Sequence, residues 1–323
     1  WVGAHNIDSG AMQVGDMMAF IQYVMQIIMS FLMISMLSVI LPRASVSATR
    51  ISEVLSTDIS VKDIENTKSL DESKDGYVEF KNVSFKYPDA EDDVISNINF
   101  VAKPGQTTAF IGSTGSGKST LVNLIPRFFD ATEGEVLVNG INIKEASQHE
   151  LREKIGYVPQ KGVLFSGTID SNIRYGAEDA SIDEIEKSCK IAQAMEFIQE
   201  KPDKFETEIS QGGTNVSGGQ KQRLSIARAL AKKPNILIFD DSFSALDLKT
   251  DAKLRKELKA EIKDSTVIMV AQRISTIINA EQIIVLDEGK MVGIGTHEEL
   301  MKNCEVYNQI ALSQLSKEEL GHE

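Results

Sequence analysis

The hydrophobic positions divide the chain into two unlike parts. From Met17 to Leu41 the residues run "MMAFIQYVMQIIMSFLMISMLSVIL" without one charge. A helix of that length would rise about 37 Å, enough to cross a hydrocarbon core of about 30 Å with some tilt. Asp8 and Asp16 precede the run with no Lys or Arg, and Arg43 and Arg50 follow it. A signal peptide has a basic front and a shorter apolar core, so the pattern predicts a transmembrane helix whose C-terminal end faces the cytoplasm. Gln22, Gln26 and Ser30 recur every four residues, on one helical face. Polar groups in hydrocarbon need a partner or a wet cavity, which points that face into a helix bundle, for interhelical hydrogen bonding or a substrate pathway. Other membrane helices would be required, and the chain opens at Trp1 without an initiator Met, so the expectation is a fragment of a longer protein.

Residues 42–56 remain helix-compatible. The stretch 57–76 carries few large apolar residues and many charges, the pattern of a solvated connector. From Tyr77 short β-rich runs such as "YVEFKNVSF" and "TTAFIG" appear. Later apolar runs at Ile236–Phe239, Val267–Val270 and Ile283–Leu286 alternate with helical stretches, among them "TDAKLRKELKAEI", where Leu254, Leu258 and Ile262 share a face. Such alternation predicts an α/β domain with a mostly parallel sheet.

Composition narrows the partners. With 42% hydrophobic and 25% charged residues, 323 residues can bury one large core or two ordinary ones. A net charge of -13 opposes nucleic-acid binding, which needs a basic face. Cys189 and Cys304 lie far apart outside any metal-ligand spacing and read as free thiols in a reducing cytosol.

The candidate chemistry begins with "NILIFDDSFSALD", where an apolar strand ends in adjacent carboxylates, Asp240 and Asp241. Like charges at a buried strand end call for a cation nearby, and alternation along a strand gives the two side chains different directions. "FIGSTGSGKST" supplies the context: Gly112, Ser113, Thr114, Gly115, Ser116, Gly117, Lys118, Ser119 and Thr120 form a G-x-x-x-x-G-K-S loop between a strand and a helix. Its glycines let backbone N–H groups and a helix N-terminus face phosphates, Lys118 adds a cation, and Ser119 with Asp240 offers oxygen ligands to Mg²⁺. A nucleoside triphosphate with Mg²⁺ is the expected ligand. "NVSGGQKQRLSIARAL" places Ser217, Gly218, Gly219 and Gln220 before another helix, a second anion-binding end that one triphosphate does not need from one chain.

These motifs resemble the nucleotide-binding domain of ATP-binding cassette (ABC) transporters, whose signature is usually Leu-Ser-Gly-Gly-Gln and here begins with Val216. The resemblance runs from about Tyr77 to Leu315. It implies a P-loop NTPase fold, a mostly parallel sheet with a β subdomain and a helical subdomain. It also implies head-to-tail pairing, one chain's cradle enclosing ATP against the other's signature. Tyr87 in "FKYPDA" fits the aromatic that stacks on adenine, Gln160 in "YVPQ" the glutamine that touches Mg²⁺ and faces the membrane domain, and Ser244–Asp247 the loop across the dimer. "YNQIALSQL" and "GDMMAFIQYVMQI" are similar to the exporter branch, the latter to the start of its last membrane helix. The implied layout is membrane domain end at 1–56, linker at 57–76, ATPase domain at 77–318 and tail at 319–323.

Three positions depart from the family pattern. Glutamate usually polarises the attacking water where this chain has Asp241, a carboxylate about 1.5 Å shorter in reach. A histidine usually contacts the γ-phosphate where this chain has Gln272, which cannot carry a charge or relay a proton. Gln211 replaces a glutamate frequent in exporters. With the cradle and signature intact and the hydrolytic pair altered, the chain is similar to the slow-site half of a heterodimeric multidrug-type exporter, an ATP hydrolase whose turnover falls mainly at the partner's site. Its alternatives are a homodimeric exporter hydrolysing slowly at Asp241 and an ATP-gated regulatory ABC protein. A drug, lipid or peptide substrate is compatible with the helix face.

Overall fold

A computed structural model of the chain describes residues 1–88 and 90–314. The expected domain end at 318, the tail 319–323 and the last position of the family resemblance, Leu315, lie outside the described residues. Two compact units divide between Ser60 and Val61.

In the first unit α1 (Val2–Asp8) precedes α2 (Val14–Ser56). Gln13 and Asp16 close a reciprocal cap at the start of α2, and Ser30 donates its hydroxyl to the Gln26 carbonyl (2.9 Å). The helix continues through Pro42, which has no N–H to give the ladder. Among the described residues α2 is the one helix long and apolar enough to cross a membrane, and its side chains are exposed in this chain by itself.

In the second unit the chain runs β1 (Val78–Phe85), β2 (Ile95–Ala102), β3 (Thr107–Gly112), α3 (Lys118–Leu124), β4 (Glu133–Val138), β5 (Ile141–Asn142), α4 (Gln148–Glu153) and β6 (Ile155–Val158). The helical part follows: β7 (Gly167–Thr168), α5 (Ile169–Arg174), α6 (Ile182–Ile191), α7 (Met195–Gln199), β8 (Glu208–Ile209) and α8 (Gly218–Ala231). Then come β9 (Ile236–Asp240), α9 (Leu248–Glu261), β10 (Thr266–Val270), α10 (Ile274–Ile277), β11 (Gln282–Asp287), β12 (Lys290–Gly295), α11 (His297–Asn303) and α12 (Glu305–Gln314).

The main sheet has the order β12-β11-β3-β10-β9-β6, parallel except for the edge strand β12. Its central strands are buried on both faces, which is why β9 reads as a continuous apolar run rather than an alternating one. A separate antiparallel sheet, β2-β1-β4-β5, supplies the β subdomain. Phe80, Phe100 and Phe110 are buried in the core shared by that sheet and one face of the parallel sheet. The other face packs Phe239, Leu224 and Ile226 with the helical subdomain. Each such fully buried apolar side chain contributes about 1.5–3 kcal/mol.

The boundary of the connector differs from the sequence pattern. Residues 61–76 belong to the second unit: Leu70 is buried, and the Arg127 guanidinium donates to the Lys62 carbonyl (3.0 Å) and to Asp63 (3.4 Å). Polar composition alone hides this, because the partners of those residues lie far along the chain.

Both cysteines are free and buried, and burial pushes the Cys189 thiol up to about 12. Iodoacetamide at about pH 8, where roughly one such thiol in 10⁴ is ionised, should leave Cys189 unmodified in the folded protein and alkylate it in urea. Intact-mass spectrometry reads the difference; comparable folded-state labelling of Cys189 would contradict its burial.

Candidate nucleotide site

The sheet order places β3 beside β10, with β9 next, so the loop after β3 and the carboxylates ending β9 meet at the C-terminal edge of the parallel strands. That edge is where α/β sheets open a ligand crevice. The loop is shaped by Gly112 and Gly117. A Cβ on Gly112 would lie 2.0 Å from the Leu286 carbonyl oxygen, and Gly117, at φ +90°, has Ile95 Cγ2 2.6 Å from where a Cβ would sit. Ser116 is buried, whereas Ser113, Thr114 and Gly115 are exposed, and no atom approaches within 4 Å of a Cβ position on Gly115.

Lys118 is buried and folds back on its own loop, donating to the carbonyls of Gly112 (2.9 Å) and Ser113 (2.6 Å) and to Ser116 Oγ (3.2 Å). Burial lowers its pKa, an effect opposed by the nearby Asp241 and Asp240 carboxylates. Ser119 Oγ donates to Asp240 Oδ1 at 2.8 Å, pairing two hard oxygens. The second Asp240 oxygen accepts from the Tyr157 hydroxyl at 3.4 Å, and that hydroxyl also reaches Asn123 Oδ1 at 2.8 Å. Tyr157 lies on β6, three residues before Gln160. The sequence reading missed it, since only the pairing of β6 with β9 brings it to Asp240.

Asp241 leaves the strand direction at φ +45°, and its N–H donates to the Val270 carbonyl (3.1 Å). Its Oδ2 accepts from Gln160 Nε2 (3.0 Å) and from Gln272 Nε2 (2.6 Å). Burial raises the pKa of Asp240 and of Asp241; hydrogen bonds from Ser119 and Tyr157 oppose it at Asp240, and those from Gln160 and Gln272 at Asp241. The two adjacent carboxylates are thus held by separate sets of donors.

A cavity of about 350 Å³ lies over these groups, lined by Gly115, Lys118, Ser119, Thr120, Gln160, Asp241 and Gln272 among others. It has a glycine-rich floor, one ammonium and hard oxygen donors, the set that a magnesium triphosphate requires. Tyr87 is half-buried: its hydroxyl pairs with Thr120 Oγ1 (3.1 Å), and its ring meets Phe85 and Phe129 edge-on.

The second helix end expected to bind an anion lies elsewhere. Ser217 caps α8, its Oγ accepting from Gln220 N (3.2 Å) while Gln220 Oε1 accepts from Ser217 N (3.0 Å). Ser217 and Gly218 are exposed, and among the described residues the cavity lining includes none of Ser217, Gly218, Gly219 and Gln220. Gln211 lies in a short turn at Gln211–Gly213, also apart from the cavity.

The chain is similar to known proteins in both sequence and fold. Residues 95–244 match the ABC transporter family model. A Mycobacterium tuberculosis protein described as an ABC transporter ATP-binding protein is 48% identical over 317 residues, covering 97% of this chain and 54% of that protein. A Bacillus subtilis ATP-binding/permease protein named for multidrug export is 39% identical over 293 residues, 91% of this chain and 50% of that protein. The solved structure of a bacterial Atm1-family ABC exporter with ATP bound superposes with a TM-score of 0.80 at 34% identity, over 95% of this chain and 53% of that one.

The chain carries an ABC transporter ATP-binding domain. It spans about half the length of the relatives it matches. Within the ABC fold Lys118, Ser119, Gln160, Asp241 and Gln272 line one cavity, Asp240 is joined to it through Ser119, and Ser217–Gln220 lie apart at the start of α8.

Proposed function

We propose that the chain is the ATP-binding half of an ABC exporter subunit that binds ATP with Mg²⁺, holds it at a slow site of its own, and completes a faster site on a second half-transporter. The observation that carries the slow-site reading is the double hydrogen bond on Asp241. Its Oδ2 accepts from both Gln160 and Gln272, and neither amide can take up a proton. A carboxylate one methylene short of glutamate and held by two donors is a poor base for an attacking water.

Gly112–Thr120 would surround the phosphates, with Lys118 turning its ammonium from its own loop carbonyls toward them. Ser119, Asp240 and Gln160 would hold Mg²⁺, which neutralises phosphate charge when bound. Tyr87 would offer its ring to the adenine. The signature is exposed and separate from this chain's cavity, which supports a head-to-tail pair in which Ser217–Gln220 meet the partner's nucleotide. Heterodimeric pairing is favoured because binding groups are retained where hydrolytic groups differ. The α2 helix supports a location in the cell membrane, with the full-length protein crossing it several times, the ATP-binding domain in the cytoplasm and an amphipathic substrate exported.

A substitution in the signature isolates the contribution to the partner. A Cβ on Gly218 meets nothing within 4 Å, and an acidic residue suits the first turn of a helix. Gly218→Asp should therefore leave thermal unfolding of the chain unchanged to within about 0.5 kcal/mol, as for surface substitutions generally. In the assembled transporter it should nearly stop ATP turnover, by placing a carboxylate against the partner's bound triphosphate. Steady-state phosphate release measures this; unchanged turnover would remove the signature from the active site. Replacing the partner's catalytic carboxylate should in turn abolish far more turnover than Asp241→Ala does. Equal losses would favour a homodimer.

A further inference from the structure

Arg127 is a cation used for neither phosphate nor Mg²⁺ in the site above. It is 2% exposed, at φ +54°, and its Nε donates to Asp130 Oδ1 (2.8 Å) while Nη1 reaches the Ala146 carbonyl (3.5 Å). The remaining donors turn to the segment that follows the membrane helix, to the Lys62 carbonyl (3.0 Å) and to Asp63 Oδ1 (3.4 Å). Asp63 also accepts from the backbone N–H of Gln148 at 3.2 Å and from Gln148 Nε2 at 3.0 Å. Further along, Lys68 N–H donates to the Glu145 carbonyl (2.8 Å) and Leu70 N–H to Glu150 Oε1 (2.9 Å). Residues 61–70 are thus sewn to α4 and to the turn before it.

The same short helix leads to the nucleotide cavity. Arg152, on α4, donates to the carbonyls of Pro126 and Arg127 (3.0 Å each), and α4 runs through Lys154 into β6, which ends two residues before Gln160. Gln160 holds Asp241 at 3.0 Å. The hydrogen bonds of Arg127, Arg152 and Gln160, together with the backbone of residues 152–160, therefore join the Asp241 carboxylate to residues 61–70.

We infer that Asp63 and Arg127 are positioning residues that make the segment leaving the membrane helix move with the part of the domain that senses nucleotide through Gln160. This rests on the exporter reading, in which nucleotide binding must be felt in the membrane helices. Without the clamp, residues 57–70 would form a slack tether, and a displacement of β6 would be absorbed there.

The test uses the full-length transporter with its partner in lipid vesicles. A cysteine at Thr49, exposed near the end of α2, is labelled with N-ethylmaleimide with and without Mg-ATP, the protein lacking that cysteine serving as blank. Asp63→Ala should shrink the nucleotide-dependent change in labelling rate by about threefold or more. Affinity for a fluorescent ATP analogue should stay within about twofold, as for other surface substitutions. Asp63→Asn, which still accepts from Gln148, should restore most of the response. A merely structural role would instead lower thermal stability and nucleotide affinity together. Arg127→Leu strands Asp130 and is the variant at risk of misfolding, so the half-exposed Asp63 carries the test. An undiminished response in Asp63→Ala overturns the inference alone. An unchanged label rate with Mg-ATP in the parent overturns the exporter reading and the inference with it.

Discussion

Converting Asp241 to glutamate and Gln272 to histidine together is expected to raise ATP turnover at this chain's own cradle by about a hundredfold, the change in rate that about 1 Å of misplacement can cost. The two substitutions act on one oxygen. Asp241 Oδ2 lies 2.6 Å from Gln272 Nε2, so a longer carboxylate by itself would still point at an amide donor that cannot accept charge. Histidine restores a group able to titrate near neutral pH, and glutamate carries the carboxylate about 1.5 Å further toward the cavity. Each single substitution should give much less than the pair, because residues in one hydrogen-bond network are non-additive. Phosphate release by the assembled transporter, with the partner's catalytic carboxylate removed, reads this site separately. A double variant no faster than the parent would show that the slow turnover has another cause.

Asp240→Asn should move two stabilities in opposite directions. Asp240 and Asp241 are both buried, 6% and 5% exposed, and burial raises the pKa of each. A carboxyl whose pKa is raised on folding favours the folded state at pH below its unfolded value, and that advantage is lost as pH rises through the folded value. At neutral pH the empty site therefore bears the cost of a desolvated carboxylate. Asparagine keeps an oxygen for Ser119 Oγ, now 2.8 Å away, and removes the charge. Nucleotide-free chains should melt higher, by about 2–4 °C for each kcal/mol relieved, with the gain fading toward acid pH. Mg-ATP at a hundred times its dissociation constant stabilises the parent by about 2.7 kcal/mol, and this shift should largely vanish in the variant. Differential scanning fluorimetry with and without Mg-ATP measures both. A lower melting point in the empty variant, or a preserved Mg-ATP shift, would contradict the assignment of Asp240 as the metal-facing carboxylate.

Much of the fold was legible in residue order because the signals were local. The runs Ile236–Phe239, Val267–Val270 and Ile283–Leu286 are β9, β10 and β11, their β-branched and apolar residues buried on both faces of a parallel sheet. The helix at "TDAKLRKELKAEI" buries Leu254 and Leu258, as its periodicity requires. The cradle was readable because its glycines serve backbone geometry within one loop. Less was legible at residues 61–76: their charges read as solvated, and their partners Arg127, Gln148 and Glu150 are remote in sequence. Tyr157 carried no signal, since a tyrosine on a strand takes its meaning from the neighbouring strand.

The adjacent aspartates mark the division between the two levels. Local order was enough to pair Ser119 with Asp240, for a strand-loop-helix motif and a strand-end carboxylate have few ways to meet in an α/β sheet. The family resemblance marks Asp241 and Gln272 as departures from the usual pattern. Tertiary structure alone decided that Asp241 turns out of the strand at φ +45° and that Gln160 and Gln272 converge on the same oxygen. Hydrogen bonds between remote residues follow from the stacking order of strands, and that order is set by burial summed over the whole sheet rather than by any one segment.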